Sequence, residues 1–208
     1  MMAGVRSGDA SQSAGTSHWV FGYGSLIYKV DFSFIERRRA LIRGWARRFW
    51  QGSHDHRGTP QAPGRVVTLV EAAGTECLGV AYLVSESVFE HLDHREKNGY
   101  ARVNTRLEFD DGSGVEGTVY LAQEGNEAFL GPAPEADIAQ HIARAHGPSG
   151  SNRDYALALA NALRELGADD PHVFEIERRL LALEGRDWDA ALRTRPLPDP
   201  SAIEGEEL

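Results

Sequence analysis

The chain has 208 residues, with 31 Asp and Glu against 22 Lys and Arg and a formal net charge of -9. That length suits one domain with a core large enough to need no metal or disulfide staple, the acidic balance argues against attraction to nucleic acid or an anionic membrane, and one cysteine, Cys77, excludes an intramolecular disulfide. No apolar run approaches the ~18 residues of a membrane span, and residues 1–17 lack the apolar centre of a signal peptide, so a soluble, reducing compartment, the cytoplasm, is expected.

Residues 1–17 are mostly Ser, Gly and Ala with little to bury, and are expected as a disordered tail. Trp19, Val20 and Phe21 are strand formers and should open the fold as a buried strand. Gly22 and Gly24 interrupt it. Two alternate positions without a Cβ let the backbone turn sharply and let a ligand approach its N–H groups, while Ser25 adds a hydroxyl. Successive N–H groups in one concavity suit a carboxylate or a developing oxyanion; an ordinary turn after a strand is the plainer alternative. Neither a dinucleotide fingerprint nor a Walker A loop fits, because Ile27 stands where the third glycine would be and no Gly-Lys-Ser/Thr follows.

The stretch 36–50 carries six arginines among Leu41, Trp45, Phe49 and Trp50. It reads as a strand or pair of strands with Leu41, Trp45 and Phe49 packed and the arginines solvated; the competing reading, stacking and phosphate contact with RNA, conflicts with the acidic chain. The turn-forming stretch 51–65 contains His54 and His56 but no further ligands at metal-binding spacing, and is expected as a flexible loop or the wall of a site. Arg65 to Val70 and Cys77 to Val84 are β-rich runs flanking Gly74, expected as an antiparallel pair with Cys77 inside a strand.

A helix opens around Ser85, with Ser87 and Glu90 at capping-box spacing. Its apolar stripe, Val88, Phe89 and Leu92, continues one turn on to Glu96, just before the stop signal Asn98-Gly99. An inward carboxylate in the last helical turn is disfavoured in its charged form by burial and by the helix dipole, which raises its pKa and suits a general base; pairing with Arg95 is the alternative. Tyr100 follows the stop and can place a phenol near Glu96. His91 and His94 read as surface residues. Residues 102–109 and 117–122 form a hairpin about Asp110 to Gly114, making with the earlier strands a mostly antiparallel sheet of about six strands, curled or closed as a barrel. Helices are expected over Asp137 to Ala145, Asp154 to Leu166 with a stop at Gly167, and Val173 to Leu183. Residues from about 185 read as an acidic, proline-containing tail.

Taken together, Val20-Phe21-Gly22-Tyr23-Gly24-Ser25-Leu26, Arg48 to Ser53 with Asp55-His56-Arg57-Gly58, Pro63 to Leu69, Arg95-Glu96-Lys97 with Gly99-Tyr100, and Gly147 to Asn152 closely resemble the ChaC family of glutathione-specific γ-glutamylcyclotransferases, in order, over about residues 18–183. The resemblance implies an α+β fold, a mostly antiparallel β-barrel with flanking helices, spanning 18–184 between tails 1–17 and 185–208. It implies no cofactor and cleavage of glutathione into 5-oxoproline and Cys-Gly. Gly22, Tyr23, Gly24, Ser25, Leu26 and Ile27 would bind the γ-glutamyl head, and Glu96 would accept the proton. Departures are small: Tyr28 stands where the family often has Trp, and Asn98 where Gly is common, a position at which Asn tolerates left-handed backbone. An enzyme for other γ-glutamyl amines and a non-catalytic cation-transport regulator are the rival readings.

Overall fold

The computed structural model describes residues 16–95, 100–122 and 125–194. The tail expected at the N-terminus lies almost wholly outside them. The chain divides into two compact units, Met1–Ala46 with Leu69–Glu127, and Arg47–Thr68 with Ala128–Leu208.

Strands β1 (Ser17–Gly22), β2 (Glu36–Ser53), β3 (Gly64–Ser85), β4 (Tyr100–Phe109) and β5 (Gly114–Ala122) close into a barrel in the order β1-β3-β2-β4-β5. β1 is antiparallel to β3, β4 to β2 and to β5, while β1 and β5 run parallel. Closure then gives β2 the direction of β1 and sets it antiparallel to β3. Helix α1 (Glu86–Arg95) connects β3 towards β4, and α2 (Glu135–Arg144), α3 (Asn152–Glu165) and α4 (Pro171–Thr194) follow, with the short ribbon β6 (His146–Gly147) and β7 (Gly150–Ser151) before α3. The architecture is α+β, as expected.

β3 corrects the expected pair of strands. Residues 64–85 form one strand in which Gly74, at φ 80°, bulges without reversing the chain, and the barrel accordingly has five strands rather than about six. β2 carries a matching bulge at Gly44, also at φ 80°. Thr75 joins the two, its hydroxyl donating to Trp45 O at 3.0 Å and Ala72 O at 2.7 Å. The bulge also corrects the expected face of β2. Ala40 and Ile42 are buried before it and Arg47, Phe49, Gln51 and Ser53 after it, so the inward positions change parity and leave Leu41 and Trp45 half-buried. Three arginines of the strand are paired: Arg38 with Asp111, Arg39 with Asp110, and Arg43 with Glu76 and Glu108. Ser113 holds Asp111 through its N–H and hydroxyl, and with Arg38 lowers that carboxyl to about 2.

α1 starts at Glu86, so Ser87 lies within the first turn and is not the cap its spacing with Glu90 suggested. Phe89 and Leu92 are buried, as the stripe predicts. The helix is fastened to β1 by His18, which stacks on Phe89 at 4.2 Å and meets Glu86 at 2.7 Å.

In the second unit, α2, α3 and α4 pack on one another. Ser151 caps α3 by accepting from Asp154 N–H, and Gly167 ends it at φ 71°. α4 continues to Thr194, past the expected start of the C-terminal tail. Arg47 is another departure: it is buried and paired at 2.5 Å with Asp170. The motif segments of this unit interlock. A Cβ on Gly58 would stand 2.0 Å from Gly64 N, and one on Gly147 would stand 2.4 Å from His56 O, so these backbones cross where only glycine fits. Arg57 donates to Ser149 O at 2.7 Å, and His56 Nδ1 lies 3.0 Å from Ser149 Oγ. Fully buried Asn152 accepts from Arg65 N–H at 2.6 Å and donates to Arg65 O at 2.7 Å.

Candidate active site

β1 delivers the chain to the glycine turn. Val20 and Phe21 point to opposite faces of the strand and both are buried, and Gly22 ends it opposite Val80. Gly22 and Gly24 do not need left-handed backbone. What Gly22 requires is space, since a Cβ there would lie 2.7 Å from Leu26 Cβ. The strand end and the turn after it thus touch. Gly79 on β3 completes the fit: its Cβ would stand 2.4 Å from Gly22 O and 2.6 Å from the Phe21 ring.

Ser25–Ile27 form one 3-10 turn. Ile27 N–H donates to Gly24 O at 3.0 Å, and the N–H groups of Tyr28 and Lys29 donate to Ser25 O at 3.1 and 2.8 Å. The buried Tyr82 hydroxyl donates to Leu26 O at 2.7 Å, and Arg37 Nη2 donates to Ile27 O at 3.4 Å. Each carbonyl from Gly24 to Ile27 is therefore taken. The N–H groups of Gly24, Ser25 and Leu26 take no backbone acceptor among the described residues, as expected for the leading edge of a helical turn. Tyr23 and Ile27 are buried, and Gly24, Ser25 and Leu26 half-buried. The turn thus presents a row of donors beside a hydroxyl, an arrangement able to receive a carboxylate or an oxyanion.

Tyr100 begins β4 and pairs with Ala122 at the end of β5. Because β5 runs parallel to β1, with Val20 opposite Thr118, the end of β5, the start of β4 and the exit of β1 share one end of the barrel. Tyr100 is half-buried there. Glu96 lies outside the described residues; in the sequence it stands between Arg95, the last residue of α1, and Tyr100. Among the described residues no group of three or more His, Cys, Asp or Glu is placed to hold a metal ion, and His54 and His56 sit in the glycine-crossed loop of the second unit.

Sequence reading missed the support behind the turn. In the sequence, Tyr82 and Gly79 read only as members of an apolar strand, and Arg37 as one of a solvated run. Two signals were available. A tyrosine within a buried aliphatic run needs a partner for its hydroxyl, and a glycine inside a strand marks a close approach.

Comparison with known proteins places this chain in a family. The relative named Gamma-glutamylcyclotransferase 2-3 from Arabidopsis thaliana is 44% identical over 175 residues, 78% of this chain and 87% of its own. Glutathione-specific gamma-glutamylcyclotransferase 1 of Danio rerio is 42% identical over 178 residues, 80% of this chain and 90% of its own. A crystal structure of a γ-glutamyl cyclotransferase specific to glutathione from yeast superposes with a TM-score of 0.73 at 31% identity, covering 80% of this chain and 96% of that one. The sequence model described as ChaC-like protein matches residues 18–182, from the strand that leads into the glycine turn to the middle of α4, and the chain belongs to that family.

Proposed function

We propose that this chain is a glutathione-specific γ-glutamylcyclotransferase, a lyase that releases 5-oxoproline and Cys-Gly from glutathione. The observation that carries the reading is the 42% identity, across nine-tenths of its length, to a relative named for that specificity. The turn supports it chemically. A γ-glutamyl head offers an α-carboxylate in its ground state and an oxyanion at its γ-carbon during the reaction, and the Gly22–Ile27 segment presents donors suited to either.

In the proposed reaction the substrate's α-amino nitrogen attacks its own γ-carbonyl carbon. A C–N bond closes the five-membered ring, the amide bond to the cysteinyl nitrogen breaks, and that nitrogen leaves with a proton. The attacking amine must first be neutral. Glu96 takes its ammonium proton and returns one to the leaving nitrogen, a contribution usually worth ~10²–10⁴ in rate. Holding the head curled for closure contributes further by converting a floppy chain to a near-attack geometry. Tyr23, Ser25, Leu26, Ile27 and Tyr100 line the proposed head site. Both the nucleophile and the leaving group belong to the substrate, so this chemistry calls on no cofactor. A reducing cytoplasm, where glutathione stays a free thiol, is the proposed setting.

The test is 5-oxoproline release from reduced glutathione by wild type and Glu96→Gln, with γ-Glu-Ala as a second substrate. Release by wild type, a loss of at least ~10² in kcat for the variant, and no turnover of γ-Glu-Ala are expected. The Arabidopsis relative's name specifies no substrate beyond the γ-glutamyl group, which gives the second substrate its point: turnover of γ-Glu-Ala without glutathione would move the assignment to other γ-glutamyl amines.

A further inference from the structure

The described carbonyls of the glycine turn divide by the kind of group that holds them. Gly24 O and Ser25 O are taken by the turn's own backbone, a local closure that many short turns possess. Leu26 O and Ile27 O are held by side chains from distant strands, Tyr82 on β3 and Arg37 on β2. Tyr82 is fully buried and stands opposite Val20 in the β1 ladder, so its backbone is fixed by the strand that feeds the turn. Its ring is held by Phe32, edge-on at 5.6 Å, and by Phe34 at 5.3 Å. Its hydroxyl donates to Leu26 O and accepts from Arg37 Nε at 3.3 Å. The same guanidinium then reaches Ile27 O.

We infer that Tyr82, steadied by Arg37, is a positioning residue for the γ-glutamyl head, aiming the open N–H groups of Gly24, Ser25 and Leu26 by pinning the carbonyl side of the same turn. The inference rests on the proposed function for what the turn receives, though not for the pinning itself. Its physical basis is the rigidity of the peptide plane. The peptide joining Leu26 to Ile27 is fixed at both ends, its N–H by Gly24 O and its carbonyl by the phenol, so it cannot rotate without losing two bonds. A free 3-10 turn of three residues has no such anchor and frays. Donors that must meet a developing charge lose most of their value once they wander by about an ångström.

Tyr82→Phe removes one oxygen and keeps the ring and its packing. Steady-state 5-oxoproline release, normalised to folded protein, is measured for wild type, Tyr82→Phe, Arg37→Gln and the double variant, alongside amide exchange in a peptide covering Gly22–Ile27. Expected are a loss of at least tenfold in kcat/KM for Tyr82→Phe, a smaller loss for Arg37→Gln, and a double variant less impaired than the product of the singles. Exchange in the turn should rise, while the limbs of the pH–rate profile stay in place because the proton acceptor is untouched. Rates within twofold of wild type for folded Tyr82→Phe overturn the inference. Should that variant not fold, Arg37→Gln, altered at an exposed residue, decides by the same twofold criterion. Wild type inactive on glutathione defeats the proposed function instead, and the exchange measurement then decides alone: unchanged exchange in Tyr82→Phe overturns the pinning, faster exchange upholds it.

Discussion

Asn152 shows how much one side chain can carry. Its amide accepts from Arg65 N–H and donates to Arg65 O, filling the place that a residue of a neighbouring strand would fill in a ladder. Asn152→Ala strands both backbone groups in a fully buried position, and a loss of ~2–4 kcal/mol in unfolding free energy, read as a lowered urea midpoint, is expected. The residue was visible in the sequence only as part of Gly147 to Asn152, a motif whose purpose could not be read there. The glycines of the turn were legible as glycines, but for an incomplete reason. A sharp turn and room for a ligand are the causes the sequence suggests; the crowding of Gly22 against Leu26 and of Gly79 against Gly22 is the observed one. Such a cause depends on what the fold brings close, and local sequence does not contain it.

At the scale of elements, β3 separates two uses of glycine within one strand. Gly74 sits at φ 80° with open space where a Cβ would go, while Gly79 has ordinary strand backbone and a carbonyl in the way. Gly74→Ala therefore pays only for left-handed backbone, about 1–2 kcal/mol. Gly79→Ala must move backbone, and is expected to lower the thermal midpoint further and to reduce 5-oxoproline release per folded molecule, which Gly74→Ala should leave near wild type. Calorimetry and the activity assay together check both halves. The same strand explains the principal misreading of the fold. A glycine between two β-rich runs signals a hairpin and a bulge alike, and the choice is made by closure of the barrel, a pairing of distant strands. By contrast, the β4–β5 hairpin and the starts of α2 and α3 were legible to within a few residues, because turn and cap residues act locally.

For the molecule as a whole, the acidic balance and the arginine run reconcile once the pairs are seen. Arg38 and Arg39 face carboxylates of the turn between β4 and β5, Arg43 faces Glu76 of β3 and Glu108 of β4, and Arg47 is paired with Asp170 inside the second unit. Stability of the chain should also depend on pH through His172. The Phe49 N–H donates to His172 Nε2 at 3.1 Å, which requires that nitrogen unprotonated, and Nδ1 faces Glu135 at 3.4 Å. Burial, aided by Arg48 and opposed by Glu135 and Asp170, lowers the pKa of the ring. Below ~6.5, its value when unfolded, the unfolded chain takes the proton more readily, so this contribution is full above that pH and is lost as pH falls through the lower folded value. Urea midpoints measured from pH 7.5 down to 5.5 should decline more steeply for wild type than for His172→Gln, and parallel declines would contradict the assignment. The packing of Gly79 against Gly22 bears, finally, on protein engineering. A designer who transplants the octapeptide from Val20 to Ile27 into a new scaffold carries over the letters of the motif and leaves behind the vacancy that shapes it; the portable unit is a pair of neighbouring strands, with a glycine on each.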